Sequence, residues 1–136
     1  MAKFVYDDVS VTINSVDLSD HVQSATISAD VTEVDVSAMG DSWDQSLAGR
    51  KKASGSITFY QDFAAGEVDA TIWPLIGSTT NIEIRATSDA VSATNPDYDV
   101  TGCVITSYGS INAGTFGDSA MVTVNWSGGT LAPATS

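Results

Sequence analysis

Residues 53–77 read ASGSITFYQDFAAGEVDATIWPLIG, and they hold both kinds of structure this chain can form. In SGSITFY, Ile57 and Phe59 alternate with Ser56, Thr58 and Tyr60, which sends the apolar pair to one face of a sheet and the hydroxyls to the other. Beyond it, Ala65, Val68, Ile72 and Leu75 or Ile76 recur at three- and four-residue steps, the stripe of a short amphipathic helix. Asp62 stands where an N-cap would, able to accept from the first unpaired N–H groups. Pro74 disfavours helical geometry at Trp73, so the helix should stop or kink there, and Gly77 can release the chain in any conformation. Helix is expected only within about residues 62–76.

Working outward, the remaining ordered segments read as strands. Val9, Val11 and Ile13 alternate with Ser10 and Thr12, Asn14-Ser15 makes a tight turn, and Val16 to Leu18 returns. Residues 24–36 give the longest strand signal, with Ala25, Ile27, Ala29 and Val31 at odd positions. The apolar residues then jump to Val34 and Val36, a change of parity that calls for a bulge or bend near Thr32-Glu33. This strand is expected to pair antiparallel with residues 51–60. The segment between them, SAMGDSWDQSLAGR (37–50), shows no clean period and reads as a long projecting loop.

Further on, Ile82, Ile84 and Ala86 alternate, residues 88–98 are turn-rich, and Val100, Cys103, Val104 and Ile105 fit a strand buried on both faces or carrying a bulge. Ala120, Val122, Val124 and Trp126 make a last strand, and residues 127–136 read as a mobile tail. The polar faces are Ser24-Thr26-Ser28-Asp30, Ser54-Ser56-Thr58-Tyr60, Asn81-Glu83-Arg85-Thr87 and Ser119-Thr123-Asn125. They are short hydroxyls and amides more than the Lys and Glu of an ordinary solvent face.

At 136 residues the chain makes one domain, and 43% hydrophobic residues suffice for a core. The N-terminal residues MAKFVYDD carry no signal-peptide h-region, no apolar run approaches a membrane span, and Cys103 is the single cysteine; synthesis in a reducing cytoplasm is the expectation. The formal charge of −12, from 17 acids against 5 bases, excludes a phosphate-gripping surface, since Arg50-Lys51-Lys52 is the one basic cluster.

Chemistry-bearing motifs are sparse. His21 is the single histidine. Asp17, Asp20 and His21 form a weak metal-ligand pattern, against the plainer reading of a half-turn capped by Ser19 or Asp20. Cys103 reads as a buried thiol. Asp97 and Asp99 could pair as acid and base, yet beside Asn95-Pro96 they read as turn residues. Trp73 and Trp126 read as structural. Trp43 is different, a lone aromatic in a polar loop that needs a partner to cover it. No cofactor or metal is expected and no catalytic site is identified.

The opening hairpin TINSVDLSDHV, the acidic strand end EVDV before a glycine- and tryptophan-bearing loop, residues 54–77, NPDYDVTGCVITSYGSI and the closing SAMVTVNWSGG together resemble the major tail tube proteins of long-tailed phages. The resemblance implies a mainly β fold: an antiparallel β-sandwich or partly closed barrel with one α-helix packed on it, a single tail tube domain over residues 1–136. It implies that six copies form a ring by joining sheets, and that rings stack into a tube in the virion tail. Other tail proteins would meet the tube ends, and double-stranded DNA would pass through the lumen without specific binding. Tube subunits of contractile tails and type VI secretion share this fold and stay open as relatives. A carbohydrate-binding β-sandwich using Trp43 and Tyr98 is the rival from another class. The subunit interface is expected to use Trp43, Asp41, Asp44, Arg50, Lys51 and Lys52.

Overall fold

The computed structural model describes residues 6, 8–111, 113, 117 and 119–135. Ser10–Ile13 (β1) and Val16–Asp17 (β2) form the opening hairpin, and Asn14 and Ser15 both take the left-handed backbone that a tight two-residue turn needs. Val22–Asp35 (β3) pairs antiparallel with Ser46–Tyr60 (β4), as expected. Then come Val68–Ile72 (α1), Thr79–Arg85 (β5), Asp97–Tyr108 (β6), Met121–Ser127 (β7) and Thr130–Ala134 (β8). The strands make one antiparallel sheet in the order β2-β1-β5-β6-β7-β4-β3, with β8 added to β6.

A sheet this wide buries one face only by curling around it. Val11, Ile13, Ile57, Phe59, Ile82, Val100, Val122, Val124 and Trp126 accordingly join Val68 and Ile72 of α1 in one buried cluster. Alternation is what puts them there: Ile57, Phe59, Val122 and Val124 are buried while Thr58 and Thr123 point outward. The bend of β6 comes from a bulge. Thr80 opposes Cys103 and Ile82 opposes Val100, so Thr101-Gly102 carries an extra residue, and Gly102 supplies φ +76°. That extra residue explains how Val100 and Cys103, three apart, both face the core.

Five expectations are corrected. The helix is only Val68–Ile72, followed by a 3₁₀ turn at Trp73–Leu75, because Gly66 at φ +78° breaks the helical path. Asp62 is therefore not its N-cap: its carboxylate accepts from Ala64 N–H (2.9 Å) and its carbonyl from Asp69 N–H (3.1 Å). The mobile tail expected over residues 127–136 is not loose where it is described, since β8 pairs with β6 from Asp97↔Ala134 to Thr101↔Thr130, and residue 136 lies outside the described residues. Trp73 is 61% exposed, whereas Trp126 is buried as read. Asp97 and Asp99 lie within β6, opposite Arg85 and Glu83, and not in a turn.

Candidate assembly interface

Of the stretch expected as a loop over 37–50, residues 37–45 are loop and residues 46–50 are strand. β3 and β4 continue past the body of the domain as a two-stranded arm, and every residue from 28 to 52 is exposed. Only residues 36–45 form its tip. The tip is closed by Val36 N–H to Gln45 O (2.9 Å), Gln45 N–H to Ser37 Oγ (2.7 Å) and Ala38 N–H to Asp41 Oδ2 (2.8 Å). Asp41 thus has a role in shaping the turn.

The bulge expected near Thr32-Glu33 is present, but its extra residue belongs to the partner strand. Val31 opposes Lys51 and Glu33 opposes Ala48, so Gly49 and Arg50 together oppose Thr32. A Cβ on Gly49 would stand 2.9 Å from the Thr32 carbonyl oxygen, which is why a glycine fits there. Because β3 itself gains no residue, Val31 stays on the face that continues the core side. Val34 and Val36 turn to the opposite face, with Leu47 beside Val34.

The arm consequently exposes apolar side chains on both sides: Val31, Val34, Val36, Met39, Leu47 and, at the tip, Trp43 at 81% exposure. Trp43 does not fold back on its own domain. Arg50, Lys51 and Lys52 line the same arm. Among the described residues the ion pairs all centre on His21, so these three cations have no carboxylate within ion-pair distance, although Lys52 sits opposite Asp30 in register. Asp44 is exposed at the tip.

Below the arm, the outward side of β3, β4 and β7 is one continuous hydroxyl and amide surface. Ser24, Thr58 and Thr123 stand in one cross-strand row and Thr26, Ser56 and Asn125 in the next. Thr58 Oγ1 meets Thr123 Oγ1 at 3.3 Å and Ser28 Oγ meets Ser54 Oγ at 3.4 Å. Among the described residues β2, β3 and β8 pair on one side only, leaving three open strand edges. Along the β3 edge runs a cleft of about 850 Å³ lined by Val22, Ala25, Ile27, Ile84, Arg85 and Tyr98 among others. Trp43 is not part of it, so the structure does not bring Trp43 and Tyr98 together as a sugar platform.

Two constellations could not be read locally. Glu83, Asp97 and Asp99 converge on the β5–β6 pair. Burial first, then the charges of Asp99 and Glu83, push Asp97 up to about 6 against the pull of Arg85, whose guanidinium is turned to Asp89 O and Ser10 Oγ. Because the folded pKa lies above the ordinary one, ionising Asp97 costs stability above pH 6, and the cost disappears as pH falls toward 4. Asp97→Asn should therefore stabilise the fold by about 1–2 kcal/mol at pH 7 and by nothing near pH 4. Urea denaturation at the two pH values measures this.

The second constellation surrounds His21. Asp17 turns away to Ser19, accepting from its N–H at 2.9 Å in an Asx-type turn, and the half-turn Ser19–His21 has Leu18 at its N-cap position with no side-chain cap from Ser19 or Asp20. Asp62 and Glu67, 41 and 46 residues on, take its place beside the imidazole: Nε2 to Asp62 Oδ2 is 2.9 Å, Nδ1 to Asp20 Oδ1 is 2.8 Å and to Glu67 Oε2 3.4 Å. Burial works to lower the His21 pKa, but the hydrogen bonds its ring makes to Asp20 and Asp62 and the charges of Asp20 and Glu67 outweigh it and raise it. Cys103 is buried, its thiol 3.3 Å from Thr80 O and pushed up by burial.

No protein-family model matches the chain, and no curated protein sequence matches it. Solved structures do. A chain from the virion of the native gene transfer agent particle is 16% identical, covers 97% of this chain and 99% of its own length, and superposes with a TM-score of 0.76. A chain from the tail of the empty gene transfer agent particle, solved with C6 symmetry, is 18% identical with 84% and 82% coverage and a TM-score of 0.57. A chain from the sheath/tube terminator of an extracellular contractile injection system is 15% identical with 98% and 97% coverage and a TM-score of 0.69. At these identities the common property is the fold, and it is the fold the resemblance implied.

Proposed function

We propose that the chain is the structural subunit of a tail tube: six copies join edge to edge into a ring, and rings stack into a hollow tube of a virion tail. The observation that carries this reading is the arm. It is a folded element of 25 consecutive exposed residues with no core of its own and apolar side chains on both faces. A two-stranded ribbon in water is marginal alone, and an apolar surface of this kind marks a protein contact. The C6 symmetry of one structural neighbour supports the six-fold ring, and terminator proteins of that fold support further tail partners at the tube ends.

In this reading no reaction occurs. The open edges of β3 and β8 pair with neighbours, which satisfies their free N–H and C=O groups. The hydroxyl face of β3, β4 and β7 lines the lumen. Ser, Thr and Asn with a net negative protein around them offer DNA no cationic grip, so it slides through without being held. The role is structural, with synthesis in the host cytoplasm before incorporation into the tail. Negative-stain imaging of the purified chain tests it: rings or tubes are expected, and a stable monomer at every concentration overturns the reading.

Arg50, Lys51 and Lys52 meet carboxylates of an adjacent subunit in this assembly, where a few cations relieve the repulsion between acidic rings. Reversing Lys51 and Lys52 to Glu should slow or abolish polymerisation at low salt, with partial recovery as salt rises. Light scattering across a salt series measures it. Unchanged assembly at every ionic strength would remove the cluster from the interface.

A further inference from the structure

Three carboxylates converge on the single imidazole of this chain, and no Lys or Arg shares in balancing them among the described residues. Asp20 and Glu67 approach the same nitrogen, Nδ1, while Asp62 occupies the other, Nε2, from behind. The Nδ1, Asp20 and Glu67 ligand atoms all lie within 4.8 Å of one another. We infer that Asp20, His21 and Glu67 form a binding site for one divalent transition cation of the zinc type, with Asp62 holding the imidazole in position.

The spacing suits such an ion. Zinc bonds of about 2.0–2.1 Å in tetrahedral array put ligand atoms about 3.4 Å apart. The Glu67 oxygen is already 3.4 Å from Nδ1, and the Asp20 oxygen at 2.8 Å has only to move outward by about half an ångström. Asp20 is on an exposed side chain free to make that move. The arrangement behind the ring is the one metal-bound histidines use: a carboxylate takes the far N–H, fixes the tautomer and raises the basicity of the ligating nitrogen. Asp62 is itself held by Ala64 N–H. The cation displaces the Nδ1 proton to solvent, three protein ligands leave a fourth position for water, and the imidazole selects zinc-like ions over magnesium or calcium.

The site would also add to a junction that the sheet begins, since Val22 opposes Phe59 in the β3–β4 ladder. His21 follows the opening hairpin, whereas Asp62 and Glu67 belong to the segment that leads into α1. An ion bound there pins the helix segment to the root of β3.

Titrating Zn²⁺ into the full-length untagged chain tests this by calorimetry and by the ¹H–¹⁵N spectrum of the imidazole, which is unambiguous because the chain has one histidine. One equivalent should saturate, with Nδ1 as the perturbed nitrogen and Nε2 keeping its proton. At a hundredfold excess over Kd the melting temperature should rise by about 8 °C, and Mg²⁺ should not reproduce the rise. Asp62→Asn should weaken binding about 10- to 100-fold, and Glu67→Gln at least tenfold. Should His21→Gln not fold, Glu67→Gln, which keeps the side-chain shape, carries the test. An imidazole spectrum unmoved at stoichiometric Zn²⁺, or Zn²⁺ affinity unchanged in Glu67→Gln, overturns the site.

Discussion

Gly55→Ala is expected to destabilise the isolated subunit by about 3 kcal/mol, the upper end of what overpacking costs. Gly55 lies in β4 with Ile27 of β3 on one side and Trp126 of β7 on the other. A Cβ there would sit 2.2 Å from the Thr26 carbonyl oxygen and 2.6 Å from Cζ2 of Trp126. The first contact is with backbone in a paired strand, and the second with an indole that is fully buried. Neither can withdraw without opening the β3–β4 ladder or the core. Gly109→Ala is the control, because nothing among the described residues lies within 4 Å of its Cβ position, and it should stay within about 0.5 kcal/mol. Urea midpoints of the two variants measure the difference. Equal midpoints would mean that Trp126 does not pack over Gly55.

The same residues show what could be read from the sequence. Ile57, Phe59, Val122, Val124 and Trp126 each repeat at two-residue spacing because one side of their strand meets a core and the other meets water. Where that asymmetry is missing, the signal is missing too. Residues 46–50 looked like loop because the arm has no buried side, and a ribbon wet on both faces has no reason to alternate. β8 was hidden for a related reason: TLAPA is short, small and carries Pro133, which an edge strand tolerates. Gly66 sat inside an apolar stripe that was otherwise helical, and its backbone conformation, not its polarity, shortened the helix.

The His21 constellation illustrates a different limit. Its partners Asp62 and Glu67 are brought in by the fold from more than forty residues away, and no local spacing encodes that. The nearer candidate, Asp17, is consumed by its hydrogen bond with Ser19. For the same reason the Glu83, Asp97 and Asp99 group appears only when β5 and β6 are in register.

Trp43→Ala should raise the concentration needed for tube assembly by about 30- to 100-fold while leaving the subunit's melting temperature within a degree of the parent. The side chain is 81% exposed, so in the lone subunit it contributes almost nothing that truncation could remove. In the assembly the balance changes. Burying an aromatic of this size removes on the order of 200 Å² of surface from water, and a tryptophan at the centre of a contact is worth about 2 kcal/mol or more. Each 1.4 kcal/mol is tenfold in an equilibrium constant, and the proposed tube would make the contact once per subunit. Leu47→Ser, on the flank of the arm opposite Val34, should act in the same direction with a smaller effect, since it removes less area. Sedimentation of assembled tubes as a function of protein concentration measures both, with circular dichroism confirming that the monomers fold. If Trp43→Ala assembles at the parental concentration, the arm tip is solvent-exposed in the tube. The contact would then have to come from the flanks of the arm, where Val31, Val34 and Leu47 stand, and Leu47→Ser becomes the variant with the larger effect.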